Sequence, residues 1–95
     1  MEIQEIRNLK VYVDVVAAFN SCGALTPLKL TWEDGREYEI DQVTDIRQAA
    51  AMKAGGQGDR YTIVVNGRSS YLFFERSASI RGNIIGRFFV ERRTG

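Results

Sequence analysis

The chain contains no histidine, one cysteine (Cys22) and one proline (Pro27) in 95 residues. Without histidine, the commonest general base and the usual ligand of catalytic metals are both missing. Cys22 has no histidine to activate it, so a Cys–His nucleophile is excluded, and it has no second cysteine with which to form an internal disulfide. It reads as a small residue in or near a turn, and the lack of a disulfide framework fits a reducing compartment. No apolar run approaches the roughly 20 residues of a membrane-spanning helix. The first residues, M-E-I-Q-E-I-R, are acidic and poor in apolar side chains, unlike a secretory signal. The expectation is a cytoplasmic protein with no membrane partner.

What is present is β-forming. Leu28 to Ile40 reads L-K-L-T-W-E-D-G-R-E-Y-E-I. Apolar residues alternate on both sides of Asp34-Gly35, which is the strongest short hairpin signal. A two-residue loop would set Trp32 against Glu37 and Leu30 against Glu39. A three-residue loop over Glu33-Asp34-Gly35 sets Leu30 against Tyr38 and Leu28 against Ile40. A slip of one residue exchanges the faces, so the pattern selects the longer loop. Gly35 then takes a left-handed conformation and closes a bulge. In this reading Leu28, Leu30 and Trp32 share one face.

Other strands follow the same logic. Leu9 to Val16 alternates with period two, and Pro27 sits where a strand can begin. Tyr61 to Val65 and Ser70 to Phe74 flank an Asn66-Gly67 turn. Both faces of Tyr71-Leu72-Phe73-Phe74 are apolar, so that strand is central or covered on both sides. Ser77 to Gly86 reads as a long loop, and Arg87 to Glu91 as a final strand. Val43 to Lys53 supports two readings. Ile40, Val43 and Ile46 continue a bent strand ending near Ala50, whereas Arg47 to Ala54 is rich in helix formers. The strand is expected, with a short helical turn near 44–54 as the alternative. Hydrophobic residues make up 44% of the chain, enough for one core at this length. The expected fold is therefore a single all-β domain over residues 1–95, with about six antiparallel strands in a small, partly open barrel.

Charge is nearly balanced at +1, yet asymmetric. Residues 1–47 hold 9 acidic and 5 basic side chains, and residues 48–95 hold 3 acidic and 8 basic. Two segments are candidates for binding. Gly55, Gly56, Gln57 and Gly58, with Asp59 and Arg60, read as a flexible connecting loop over Ala54 to Arg60; its amides could alternatively face an anion or a partner, although no Gly-Lys-Ser/Thr follows. Arg68, Arg76, Arg87 and Arg92, interleaved with Tyr71, Phe73, Phe88 and Phe89, carry the ingredients of a single-stranded nucleic-acid surface. The pI of about 7.9 is below the strongly basic range of such domains. The acidic residues Glu37, Glu39 and Asp41 alternate onto the face opposite Tyr38 and Ile40, which reads as a solvated face rather than a metal site.

Trp32-x-Asp34-Gly35-Arg36-x-Tyr38-x-Ile40, the segment Ala54-Gly-Gly-Gln-Gly-Asp-Arg-Tyr61 and the closing Phe88-Phe89-Val90-Glu91-Arg92 resemble a group of short, uncharacterised bacterial β-domain proteins. The resemblance spans roughly Leu9 to Arg93. It implies a bacterial, intracellular β domain and no catalytic residue, and the Ser77–Gly86 segment is long for that group. No pattern in the chain names an activity. The expectation is a non-catalytic binding module without cofactor or metal. Its partner would be another protein or a second copy of the chain, with a nucleic-acid-binding barrel as the alternative.

Overall fold

The structure is a computed structural model that describes residues 7–49, 58–76, 82 and 85–94. Seven strands are present: β1 (Arg7–Phe19), β2 (Leu25–Thr31), β3 (Glu37–Glu39), β4 (Gln42–Ala49), β5 (Gly58–Val65), β6 (Arg68–Arg76) and β7 (Gly86–Thr94). They form one antiparallel sheet in the order β3-β2-β1-β7-β6-β5-β4, with no helix among the described residues. The two outer strands of that order, β3 and β4, are joined in the chain by Ile40 and Asp41 alone. The Ile40 amide donates to Leu28 O and the Asp41 amide to Val64 O, each at 2.9 Å. Adjacent residues thus bond to opposite ends of the sheet, which curls it into a partly open barrel.

This link explains why seven strands appear where about six were expected. The return strand of the first hairpin pairs with β2 only as far as Glu39, and the chain then crosses to β5 as β4. Asp41 Oδ2 accepts the Asn66 amide at 3.1 Å, which ties the crossing point to the β5–β6 turn. Residues 42–49 are strand, so the helical alternative is not formed there; residues 50–54 lie outside the described residues.

The first hairpin has the expected register. Leu30 pairs with Tyr38, and Gly35 has φ +87°. Trp32 N donates to Arg36 O at 2.8 Å and Gly35 N to Trp32 O at 2.9 Å, the bonds of a three-residue loop with a glycine bulge. In the second hairpin Asn66 and Gly67 both have positive φ, 51° and 77°, as a two-residue type I′ turn requires. Cys22 is exposed in the β1–β2 turn, where Asn20 Oδ1 accepts the amides of Cys22 and Ala24 at 2.9 Å.

Leu30, Tyr61, Ile63, Leu72, Phe74 and Phe88 are buried together on the inner face, joined by Val13, Val15, Ala17, Leu25 and Trp32. β6 is central, as its two apolar faces predicted. Its Leu72 and Phe74 point inward, while Phe73 stacks outside on Phe89 with ring centroids 5.2 Å apart. Two expectations are corrected. Leu28 does not share the buried face of Leu30 but is 48% exposed. The β1–β2 ladder shifts between Val16↔Lys29 and Ala17↔Pro27, so Leu28 is an extra residue that reverses the faces. Gly58, Asp59 and Arg60 are not part of a loop but open β5. A Cβ on Gly58 would collide with the carbonyl oxygen of Phe74, so this glycine serves close strand approach rather than loop freedom.

Candidate interaction surface

The sheet is not hydrogen-bonded along the whole of its centre. In the type I′ hairpin Val65 and Arg68 form the narrow pair that closes the turn. Counting by twos, Arg68, Ser70, Leu72 and Phe74 turn their backbone groups toward β5. Ser69, Tyr71, Phe73 and Glu75 turn theirs toward β7. The β6–β7 ladder comprises Phe73↔Phe89, Phe74↔Phe88, Glu75↔Arg87 and Arg76↔Gly86. Beyond Phe73, β6 runs on to Arg68 paired with β5 alone, and β7 runs on to Thr94 paired with β1 alone. The backbone groups of Ser69 and Tyr71 therefore face a seam instead of a neighbouring strand. The seam opens into a cavity of about 530 Å³ lined by Trp32, Thr62, Ser69, Ser70, Tyr71, Phe73, Val90 and Glu91. Tyr71 is 51% exposed.

Two cations beside the seam differ from the others. Lys10, Lys29, Arg36, Arg47, Arg76, Arg87 and Arg92 each sit within ion-pair reach of a carboxylate. Among the described residues Arg60 and Arg68 have no such partner. Arg60 lies over the Tyr71 ring, with Cζ 4.5 Å from its centroid, and its Nε is buried without a hydrogen-bond acceptor. Its ladder neighbour on β4 is Arg47, not an acid. Arg68 is exposed and begins β6.

The four arginines proposed for a nucleic-acid surface are not brought together. Arg68 and Arg76 stand at opposite ends of β6. Arg76 pairs with Asp59 at 2.8 Å. Arg87 covers the Tyr12 ring at 3.8 Å and reaches Glu75 at 3.5 Å. Arg92 pairs with Glu33 and lies 5.9 Å from the Trp32 ring centroid. Of the glycine-rich candidates, Gly58, Asp59 and Arg60 belong to β5, while Gly55, Gly56 and Gln57 lie outside the described residues.

A second polar cluster covers the outer face. Glu75 accepts hydrogen bonds from Lys10 Nζ at 2.5 Å and Tyr12 Oη at 2.8 Å, above the fully buried Phe89. The Lys10 hydrogen bond, aided by Tyr12 and Arg87, holds the Glu75 carboxyl below its ordinary pKa. Partial burial and then the bond to Glu75 raise that of Tyr12. Lys10 Nζ lies 5.0 Å from the Phe89 ring centroid and the Tyr12 ring meets the same ring edge-on, so the group covers Phe89. At one end of the barrel, a third feature is a cavity of about 620 Å³ lined by Phe19, Leu25, Ile46, Tyr61, Phe74 and Ile85, with the Asp59–Arg76 pair at its margin. Phe19 is 62% exposed there.

Among the described residues no group of three or more histidine, cysteine, aspartate or glutamate side chains could hold a metal ion, and no helix is long and apolar enough to cross a membrane. Comparison of the chain with protein-family models, curated proteins and solved structures gave no match. The seam was not legible in the sequence. Ser69, Tyr71 and Trp32 are ordinary hairpin residues there, and the parting of β6 and β7 depends on strands joined by a long connection. Arg60 was singled out, but for a loop it does not occupy.

Proposed function

We propose that this protein is a non-catalytic interaction module that receives an extended segment of a partner protein along the β6 edge of the seam. The observation that carries this reading is the end of the β6–β7 ladder at Phe73↔Phe89, five residues short of the β6 terminus at Arg68. A β edge with unengaged N–H and C=O groups is a template for another strand. Main-chain hydrogen bonds supply affinity in such a complex, and flanking pockets supply selectivity. Here the cavity with Trp32, Thr62 and Tyr71 gives the side chains of an added strand somewhere to rest. The four arginines of the alternative nucleic-acid surface are dispersed, and three of them are engaged by carboxylates. Counterion release needs several cations on one face, so this arrangement favours a peptide.

The test is amide hydrogen exchange during titration with a neutral, β-prone peptide of alternating threonine and glutamine, about eight residues long, the span of an ordinary strand. Added-strand binding slows exchange at Ser69 and Tyr71, whose amides face the seam, and leaves Ser70, already bonded to β5, unchanged. Protection confined to the barrel end around Phe19 and Ile46, or absent throughout, overturns the reading.

A further inference from the structure

We infer that the seam selects an acidic strand, with Arg60 and Arg68 reading carboxylates on the incoming peptide. The inference rests on the strand-addition reading above and names the chemistry of its partner. Every other cation whose side chain is described has a carboxylate within the chain, and the two that lack one both border the unpaired stretch of β6.

The geometry gives each cation a position to read. Residues directly opposite one another in a ladder point to the same face of the sheet. A peptide residue opposite Tyr71 therefore projects over the outer face, where the Arg60 guanidinium already lies over the Tyr71 ring. The ring contact holds the guanidinium beside the seam, where its terminal nitrogens could donate charge-assisted hydrogen bonds to a carboxylate. The Arg60 Nε is buried without an acceptor, so an incoming oxygen would meet the terminal nitrogens of the guanidinium. A residue opposite Arg68 meets an exposed cation at the entry to the seam. Glutamate at either position would complete an ion pair that this chain leaves unmade.

Single-stranded nucleic acid is the competing anionic partner, and the backbone disfavours it. Ser69 and Tyr71 each present both an N–H and a C=O to the seam. A peptide strand answers both, whereas phosphate oxygens accept hydrogen bonds but do not donate them. The Tyr71 face covered by Arg60 is also closed to base stacking.

Three peptides decide the matter, each about eight residues long: threonine alternating with glutamate, glutamine or lysine. They are titrated against the intact protein and followed through the Ser69 and Tyr71 amides. The glutamate peptide is expected to bind roughly fivefold tighter than the glutamine peptide, the scale of one partly exposed ion pair. The advantage should shrink in about 0.5 M salt. Arg68 shares the inward face of Leu72 and Phe74, so an alternating peptide meets one cation or the other according to its register; the advantage should fall in Arg60→Gln, fall less in Arg68→Gln, and vanish in the double variant, while the glutamine peptide binds all variants equally. Equal affinity for the glutamate and glutamine peptides overturns the acidic preference and leaves strand addition standing. Failure of all three peptides overturns both. Tighter binding of the lysine peptide, or displacement of the glutamate peptide from the same amides by oligothymidylate, also overturns the inference, the latter in favour of nucleic acid.

Discussion

Tyr61 on β5 donates its phenolic hydrogen to the carbonyl oxygen of Leu25 on β2 at 2.8 Å. Three strands stand between these two in the sheet order, so the bond spans the interior of the curl. Tyr61 is almost wholly buried and touches the ring of Phe88, at 6.0 Å between centroids. Tyr61→Phe keeps the ring and deletes the hydroxyl. The expected cost is about 1 kcal/mol, read from denaturant unfolding, because a partly shielded carbonyl loses its donor. A change under a few tenths of a kcal/mol would mean that water replaces the hydroxyl at no cost.

The same tyrosine sets an alkaline limit. Burial, with Asp59 adding to it, raises its pKa above the ordinary tyrosine value. The unfolded chain therefore ionises first as pH rises. The contribution of Tyr61 to stability is whole below about pH 10 and declines as pH climbs through the folded value. Wild-type stability should fall over this window more steeply than that of Tyr61→Phe.

At the acid end the sign is opposite. Glu75 is held below its ordinary carboxyl pKa, chiefly by the hydrogen bond from Lys10. Its contribution is present above the unfolded value and is lost as pH falls through the folded one. Glu75→Gln should cost roughly 1–2 kcal/mol at neutral pH, since Lys10 and Tyr12 lose a charged acceptor. The variant and the wild type should converge in stability as pH drops below the normal carboxylate range. A parallel offset at all pH values would assign the loss to packing over Phe89.

Two glycines should respond differently to alanine. Gly35 has positive φ and open space around it, so Gly35→Ala pays conformational strain alone, about 1 kcal/mol. Gly58→Ala drives a methyl into the Phe74 backbone, where no side-chain rotation relieves it. A loss of about 3 kcal/mol or more, or failure to fold, is expected. Thermal unfolding of the two variants side by side checks the ranking.

Proline separates the two sides of β6. Ser69→Pro removes an amide that faces the seam, where the ladder to β7 has ended, so stability should change little while binding of an added strand weakens. Ser70→Pro removes an amide directed at β5 and should destabilise the domain by about 3 kcal/mol. Equal destabilisation by both would show that the Ser69 amide is engaged in the folded protein.

Short-range chemistry was readable from the chain. Asp34-Gly35 and Asn66-Gly67 demand positive φ at fixed offsets, and the alternation of Leu30, Tyr38 and their neighbours permits only one register without turning the core outward. The all-β class and the central place of Tyr71-Leu72-Phe73-Phe74 follow from the same local rules. What the tertiary structure decided depends on residues far apart in sequence. The extra residue at Leu28 shows itself only against β1. Gly58 reads as loop material until Phe74 is placed against it. The crossing at Ile40-Asp41 requires β5 to be in position. The charge pattern likewise could not reveal that Arg76, Arg87 and Arg92 are taken by Asp59, Glu75 and Glu33 while Arg60 and Arg68 are not. Ion pairing between strands is set by their order and by the direction each side chain leaves the sheet, and neither is encoded in the spacing of charges along the chain.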